Sequence, residues 1–346
     1  MNRKNKIIKS MKFSIIIPVR SINDHLRENI ANLKLLKYED FEVIILTDNT
    51  ESYDFGDGRF KLLATGSVGP GEKRNVGANT STGDILAFLD DDAYPKDDWL
   101  NKAYEIFKDK SIYALGAPAI TPLNAGFLER CSGRVLESIL SSAGTVYRYV
   151  PMSRRIINDY PTVNFLVKKE AFLSVGGFIK DFWPGEDTKL CLDLINKFGK
   201  EFIYDPALIV YHHRRNLFRP HLKQISRYGQ HRGHFARIFP ENSRNPSYFV
   251  PSLYILGLVA GPLVCLLIPI LWFVYLPVVL IYFMLISIEV VRVSIKDKSL
   301  KVGLYVAGGI VLTHIVYGVN FIIGLLKKPE LKLKKFGGKA GNYVEG

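Results

Sequence analysis

Short apolar, often β-branched runs alternate with amphipathic stretches along the first two-thirds of the chain. Residues 12–20 (KFSIIIPVR), 41–48 (FEVIILTD) and 84–90 (DILAFLD) are too short for helices and end in a polar residue or turn signal, as buried parallel strands do. Between the first two, Leu26, Ile30, Leu33 and Leu36 fall close to helical spacing, with Asn23 or Asp24 as N-cap. A second helix is expected from near Glu72 through Ala78. A third is expected over 97–108, where Trp99, Leu100, Ala103, Ile106 and Phe107 make an apolar face. This alternation predicts a doubly wound α/β sheet. Such sheets bind ligands beyond the carboxyl ends of their strands, so Pro18, Val19 and Arg20 should converge with Asp48 and with Asp90, Asp91 and Asp92.

Beyond residue 113 the pattern is less regular. Residues 113–120 and 163–167 read as strands, and 111–161 contains loops whose order the pattern leaves open. A short helix over 170–173 stops at Gly176-Gly177, an amphipathic helix over 187–198 closes on Gly199, and a strand over 202–211 is interrupted at Pro206.

From residue 248 to 291 one charged side chain, Glu289, punctuates an otherwise apolar tract. It is long enough for two spans of about 20 residues each, near 248–269 and 271–291. A third apolar segment, 303–326, carries His314, Asn320 and several glycines, and could span, re-enter or lie in the interface. The loop 292–301 and the tail 327–339 are both basic and prefer the cytoplasm, whereas three full spans would separate them. Two spans plus a re-entrant or interfacial third segment are therefore expected. The resulting order is a basic tail (1–11), an α/β domain (12–215), a basic amphipathic interface segment (216–247), a membrane domain (248–326) and a basic tail (327–346).

Composition refines this picture. A formal charge of +13 on 346 residues could serve nucleic acid, anionic lipid or a diphosphate. The basic residues flank the apolar segments, which favours a membrane with anionic lipids over nucleic acid. Three scattered cysteines, Cys131, Cys191 and Cys265, indicate neither a disulfide framework nor a zinc site and fit a reducing compartment. The basic start is followed by no apolar core of signal-peptide length, so the α/β domain is expected to face the cytoplasm from a multi-pass cell-membrane anchor.

Several clusters carry candidate chemistry. Asp90 and Asp92 at a strand end could hold Mg2+ or Mn2+ bridging a diphosphate; a solvated acidic turn explains the triplet as well. The turn Gly69-Pro70-Gly71 leads into Lys73 and Arg74 at a helix start, a possible anion site or simply a tight turn with solvated cations. Asp187 could be a general base beside Glu186 and Trp183, or a helix-start carboxylate. His212 and Arg214 could contact metal or diphosphate, or form a basic patch at the membrane face.

Taken in order, Pro18-Val19-Arg20, Thr47-Asp48-Asn49, Gly71-Glu72-Lys73-Arg74-Asn75-Val76-Gly77, Phe88-Leu89-Asp90-Asp91-Asp92 and Gly185-Glu186-Asp187 resemble glycosyltransferase family 2 enzymes of the GT-A fold, over about residues 12–215. Tyr228-Gly229-Gln230-His231-Arg232 before an apolar tract resembles the membrane-attached members that build exopolysaccharide or lipid-linked oligosaccharide. The resemblance implies a Rossmann-like, mainly parallel sheet followed by transmembrane helices. It implies that Pro18, Val19, Arg20, Asp48, Lys73, Arg74, Asp90 and Asp91 meet a UDP- or GDP-sugar, that Asp90 and Asp92 hold the metal, and that Asp187 deprotonates the acceptor hydroxyl. The expected function is inverting transfer of a sugar to a polyprenyl-linked or glycan acceptor. A nucleotidyl- or phosphotransferase using the same acidic site and a non-catalytic nucleotide-sugar-binding scaffold are the alternatives. Family members often carry two acidic residues where this chain has Asp48-Asn49. Gln224-Ile225-Ser226-Arg227-Tyr228 departs from the Gln-x-x-Arg-Trp signature of processive synthases, which suggests single additions.

Overall fold

The computed structural model describes residues 11–180 and 184–328. They form two compact units: residues 11–119 with Met152–Tyr211, and Ile120–Pro151 with residues 212–328. The α/β domain expected over 12–215 thus includes a stretch, Ile120–Pro151, that packs with the C-terminal helices. In that second unit Cys131 and Val135 bury themselves against Val293, Val302, Val306 and Ile310.

In chain order the first unit begins β1 (Phe13–Pro18), α1 (Asp24–Leu33), β2 (Phe41–Thr47), β3 (Phe60–Ala64), α2 (Pro70–Thr80), β4 (Ile85–Leu89), β5 (Ala93–Pro95), α3 (Trp99–Phe107), β6 (Ala114–Gly116) and β7 (Ala119–Ile120). Helices α4 (Phe127–Glu137) and α5 (Ile139–Ser142) belong to the second unit. The chain continues through β8 (Arg155–Ile157), β9 (Asn164–Lys168), α6 (Lys169–Ser174), α7 (Glu186–Phe198), β10 (Phe202–Tyr204) and β11 (Val210–His212). The main sheet has the order β3-β2-β1-β4-β9-β6-β10-β8, and β5-β11-β7 make a smaller sheet. Strands β3, β2, β1 and β4 run parallel, β9 runs antiparallel to β4 and β6, and β8 antiparallel to β10. Every residue of β1, β2 and β4 is buried, which is why these strands read as nearly continuous apolar runs rather than alternating ones. The interruption at Pro206 proves to be a change of sheet. Ala207 N–H turns back to the Asp205 carboxylate (2.9 Å), placing β10 and β11 in different sheets.

One carboxylate is buried at the amino-terminal end of this sheet. Glu42 accepts from Ser14 Oγ (2.7 Å), the Thr82 N–H (2.5 Å) and hydroxyl (2.8 Å), and Lys61 Nζ (2.7 Å). Burial raises its pKa, but these donors outweigh burial and bring it down to about 2. A depressed folded-state value means the stabilisation is complete above the ordinary carboxylate range and is lost as pH falls towards about 2. We expect Glu42→Ala to lower the unfolding free energy by about 3 kcal/mol near neutral pH, measured by urea titration, because four donor groups on three residues lose their acceptor. The gap between mutant and parent should close as the pH is lowered.

The second unit adds α8 (Arg219–Ile238), α9 (Pro240–Ser243), α10 (Val250–Leu267), α11 (Trp272–Asp297) and α12 (Leu300–Leu326) to α4 and α5. Among the described residues, three helical stretches are long and apolar enough to cross a membrane, Val250–Leu267, Pro269–Asp297 and Leu300–Leu326. The third apolar segment is one unbroken helix, and a short turn over Pro269–Leu271 separates the first two.

Candidate active site

The parallel strands β1, β2 and β4 bring Val19, Asp48 and Asp90 to one edge of the first unit, and helix α2 ties these strand ends together. Lys73 lies buried beneath them, its Nζ donating to the Val19 carbonyl (2.5 Å), the Leu46 carbonyl (3.4 Å) and Asp48 Oδ1 (2.5 Å). Burial pulls the Lys73 ammonium below its ordinary value, and the Asp48 carboxylate opposes that pull. The other Asp48 oxygen accepts from Ser67 Oγ at 3.3 Å. Pro18 closes β1, Val19 N–H bonds the Leu46 carbonyl (2.9 Å), and exposed Arg20 receives the Asp48 N–H on its carbonyl (2.9 Å).

Arg74, one residue on, points the other way. Its Nη2 donates to Asp90 Oδ1 (2.6 Å) and its Nη1 to Glu186 Oε1 (3.4 Å), while Cζ sits 5.8 Å from the centre of the Phe178 ring. Arg74 Nε is buried with no hydrogen-bond partner, so the guanidinium has a donor beyond these two carboxylates. Asn75 clamps the segment before α7 from both sides, Nδ2 donating to the Phe178 carbonyl (2.7 Å) and Oδ1 accepting its N–H (2.8 Å). Three successive side chains of α2 thus hold the β1–β2 edge, β4 and the approach to α7.

The acidic triplet is split by geometry. Asp91 Oδ2 accepts from Asn23 Nδ2 (2.8 Å), the residue whose Oδ1 also caps α1 through the Leu26 N–H (2.9 Å). Burial, and then the charge of Asp92, raise the Asp91 pKa. Asp90 and Asp92 each place a carboxylate oxygen within 4.8 Å of the other, and Asp92 is 7% exposed. Two hard oxygen donors so close together suit a hard divalent cation better than a soft one, so Asp90 and Asp92 could hold Mg2+ or Mn2+.

Helix α7 begins at Glu186 after Gly185, whose φ of 120° favours glycine; there its N–H bonds Glu186 Oε2 at 3.1 Å. Glu186 is buried, and burial followed by the neighbouring Asp187 charge raises its pKa, against the lowering effect of Arg74. Asp187 is half-buried in the first turn and accepts the Thr188 N–H on Oδ1 (2.8 Å). Asp187 is thus a helix-start carboxylate, next in sequence to the Glu186 that pairs with Arg74. Trp183 lies outside the described residues, as do residues 1–10 and 329–346 of the basic tails. His212 and Arg214 sit in the second unit. Arg214 Nη1 donates to His212 Nδ1 (2.8 Å), which leaves the histidine's proton on Nε2, and Arg214 Cζ lies 5.2 Å from the centre of the Tyr149 ring.

Four supporting residues escaped the sequence analysis in these roles: Asn23 and Asn29 on the α1 side, Asn75 and Phe178. Asn29 is fully buried and donates to the Asp90 carbonyl (3.2 Å). Its signal was a polar residue beside the stripe of Leu26, Ile30 and Leu33.

A mixed α/β sheet with an acidic strand end, two buried cations and a carboxylate pair at a helix start defines the class of GT-A-like nucleotide-sugar folds. Residues 14–178 match the model of glycosyl transferase family 2. Pre-mycofactocin glycosyltransferases of two Mycobacterium tuberculosis strains are 31% identical over 224 residues, 62% of this chain and 46% of theirs. The chain thus spans about half the length of those relatives. A glucosyl-dolichyl phosphate glucuronosyltransferase of Haloferax volcanii is 22% identical over 234 residues, 58% of this chain and 69% of that protein. Among solved structures, a mannosyltransferase from Pyrobaculum calidifontis in complex with GDP-Man and Mn2+ superimposes with a TM-score of 0.53 at 17% identity, covering 93% of this chain and 89% of that one. Residues 14–178 thus carry a glycosyl transferase family 2 domain.

Proposed function

We propose that the chain transfers a sugar from a nucleoside-diphosphate sugar to a membrane-associated acceptor, polyprenyl-linked or glycan, with inversion at the anomeric carbon. The observation that carries this reading is the double bridge made by α2. Lys73 is held by Asp48, Arg74 by Asp90 and Glu186, and Asp187 follows directly on the same helix start. The names of the relatives support the direction, since one glycosylates pre-mycofactocin and another transfers to a glucosyl-dolichyl phosphate. The structural neighbour holds GDP-Man with Mn2+.

In this mechanism Pro18, Val19, Arg20 and Asp48 line the nucleoside end of the donor, Asp91 stays turned towards α1, and Arg74, held by Asp90 and Glu186, places its positive charge near the diphosphate. Asp187 takes the proton of the acceptor hydroxyl as its oxygen attacks the anomeric carbon. The new carbon–oxygen bond forms as the bond to the diphosphate breaks, and the electron pair leaves on the nucleoside diphosphate. A divalent cation at Asp90 and Asp92 would offset the charge of that leaving group. Glu186 keeps Arg74 oriented, and its burial beside the Asp187 charge favours the protonated form of its own carboxyl, against the pull of Arg74. The apolar helices, the basic flanks and three free, buried cysteines support membrane attachment with this domain on the cytoplasmic face.

Purified full-length protein, incubated with UDP- and GDP-sugars and a polyprenyl-phosphate-linked glycan, should release nucleoside diphosphate in a reaction that chelation abolishes. Release of pyrophosphate or nucleoside monophosphate would instead assign the site to nucleotidyl or phosphoryl transfer. Binding of a donor without release of any product would make the domain a scaffold.

A further inference from the structure

Arg74 places one guanidinium between two carboxylates that it does not hold alike. Nη2 meets Asp90 Oδ1 at 2.6 Å, whereas Nη1 reaches Glu186 Oε1 at 3.4 Å, the long end of hydrogen-bonding distance. Asp90 is also one of the two carboxylates within ligand reach of a divalent cation, so the tighter bond falls on an oxygen donor such an ion would use.

This shared seat is incomplete. Arg74 is 3% exposed, and its Nε is buried without a hydrogen-bond partner. A guanidinium commonly spends its donors in pairs on a single carboxylate, in a two-pronged contact. Stretched across two carboxylates, the Arg74 fork leaves one buried donor idle, which costs stability.

A second seat is built beside the first. Glu186 is 7% exposed and lies against Gly71, three residues before Arg74 on α2, where a Cβ would fall 3.3 Å from Glu186 Cγ and 3.1 Å from Phe178 Cβ. The missing side chain lets both the carboxylate and the aromatic residue approach the helix. Arg74 Cζ is 5.8 Å from the Phe178 ring centre, and Asn75 fixes Phe178 through its backbone carbonyl (2.7 Å) and N–H (2.8 Å). The Gly185 N–H holds Glu186 Oε2 at 3.1 Å, while Oε1 takes the Arg74 contact. Burial, and then the Asp187 charge, disfavour an ionised Glu186, so this carboxylate gains from a closer cation.

A divalent cation on Asp90 and Asp92 would set two positive charges against the guanidinium on one carboxylate. Like charges repel strongly at that range, and a buried guanidinium deprived of its counter-charge is costly. Glu186 is the carboxylate already in contact on the other side. We propose that Arg74 is the resident counter-ion of Asp90 and passes to Glu186 when a divalent cation takes Asp90 and Asp92. Glu186 is then a positioning residue for the cation without being its ligand. The inference rests on Asp90 and Asp92 as the cation's ligands, as proposed above.

The test is binding of Mn2+ alone to purified full-length protein, read from the electron paramagnetic resonance signal of the free ion, at about pH 8 to favour ionised Glu186. Arg74→Gln keeps an amide beside Asp90 but removes the competing charge, and should bind Mn2+ at least about fivefold more tightly than the parent. Glu186→Gln deprives Arg74 of its second carboxylate, and should bind Mn2+ at least about fivefold more weakly. In the Arg74→Gln background the same Glu186 substitution should change affinity by less than about twofold, because no guanidinium remains to be passed on. If Glu186 acted only through its own charge on the ion, the loss would persist in that background and the proposal would fail. Unchanged affinity in both single variants would overturn it as well. Should Arg74→Gln not fold, Glu186→Asp decides, since it keeps the charge and shortens the reach. It should weaken Mn2+ binding as Glu186→Gln does, and parent-like affinity would refute the transfer. Mn2+ binding that Asp92→Ala leaves unchanged, or no binding by the parent, would instead remove the ion from Asp90 and Asp92, and the inference with it.

Discussion

Replacing Asp187 by Asn is expected to lower turnover by about 10²- to 10⁴-fold while leaving the fold and donor binding intact. The reasoning rests on what Asn keeps and loses. Its side-chain carbonyl can still accept the Thr188 N–H that Asp187 Oδ1 accepts at 2.8 Å, so the start of α7 retains its hydrogen bond. It cannot take a proton from an acceptor hydroxyl. Glu186 is a poor substitute because it is buried and its carboxylate is committed to Arg74 at 3.4 Å. The measurements are initial rates of nucleoside diphosphate release and the rise in melting temperature on adding donor and metal. A variant that keeps both the thermal shift and the rate of the parent would show that the proton goes elsewhere.

Asp92→Ala should produce a loss of turnover of at least about 10²-fold with a different signature. Asp92 is 7% exposed, and its carboxylate approaches that of Asp90 within 4.8 Å. Without it, Asp90 alone remains, with one oxygen already accepting from Arg74 at 2.6 Å. The metal-dependent part of the donor-induced thermal shift should therefore disappear, whereas Asp187→Asn should preserve it. Equal thermal shifts in the Asp92 variant and the parent would exclude Asp92 from the metal site. The two substitutions thus separate the leaving-group end of the reaction from the proton-transfer end.

Both variants act on residues that were visible in the sequence as letters but not as partners. Asp90, Asp91 and Asp92 read as a strand-end triplet of which Asp90 and Asp92 could hold a metal, and the folded chain turns Asp91 towards Asn23 while bringing carboxylate oxygens of Asp90 and Asp92 within 4.8 Å of each other. Lys73 and Arg74 read as two similar cations on a helix start, yet one lies under the β1–β2 edge and the other faces β4 and α7. Adjacent positions on a helix are rotated by about 100°, so neighbouring cations must serve different partners once both are buried.

The buried strands were legible because a parallel sheet covered on both faces demands unbroken apolar runs, as in β1, β2 and β4. The helices α1, α3 and α7 were legible through their apolar stripes, and the apolar tract after residue 248 through its length and lack of charge. These are local properties, set by the period of hydrophobic positions along the chain. What the tertiary structure alone decided is non-local: the antiparallel insertion of β9 between β4 and β6, the grouping of Ile120–Pro151 with the C-terminal helices, and the packing of α12 against both α10 and α11. Each depends on which of several apolar or polar surfaces meet, and a periodic pattern records that a face must be covered without recording by what.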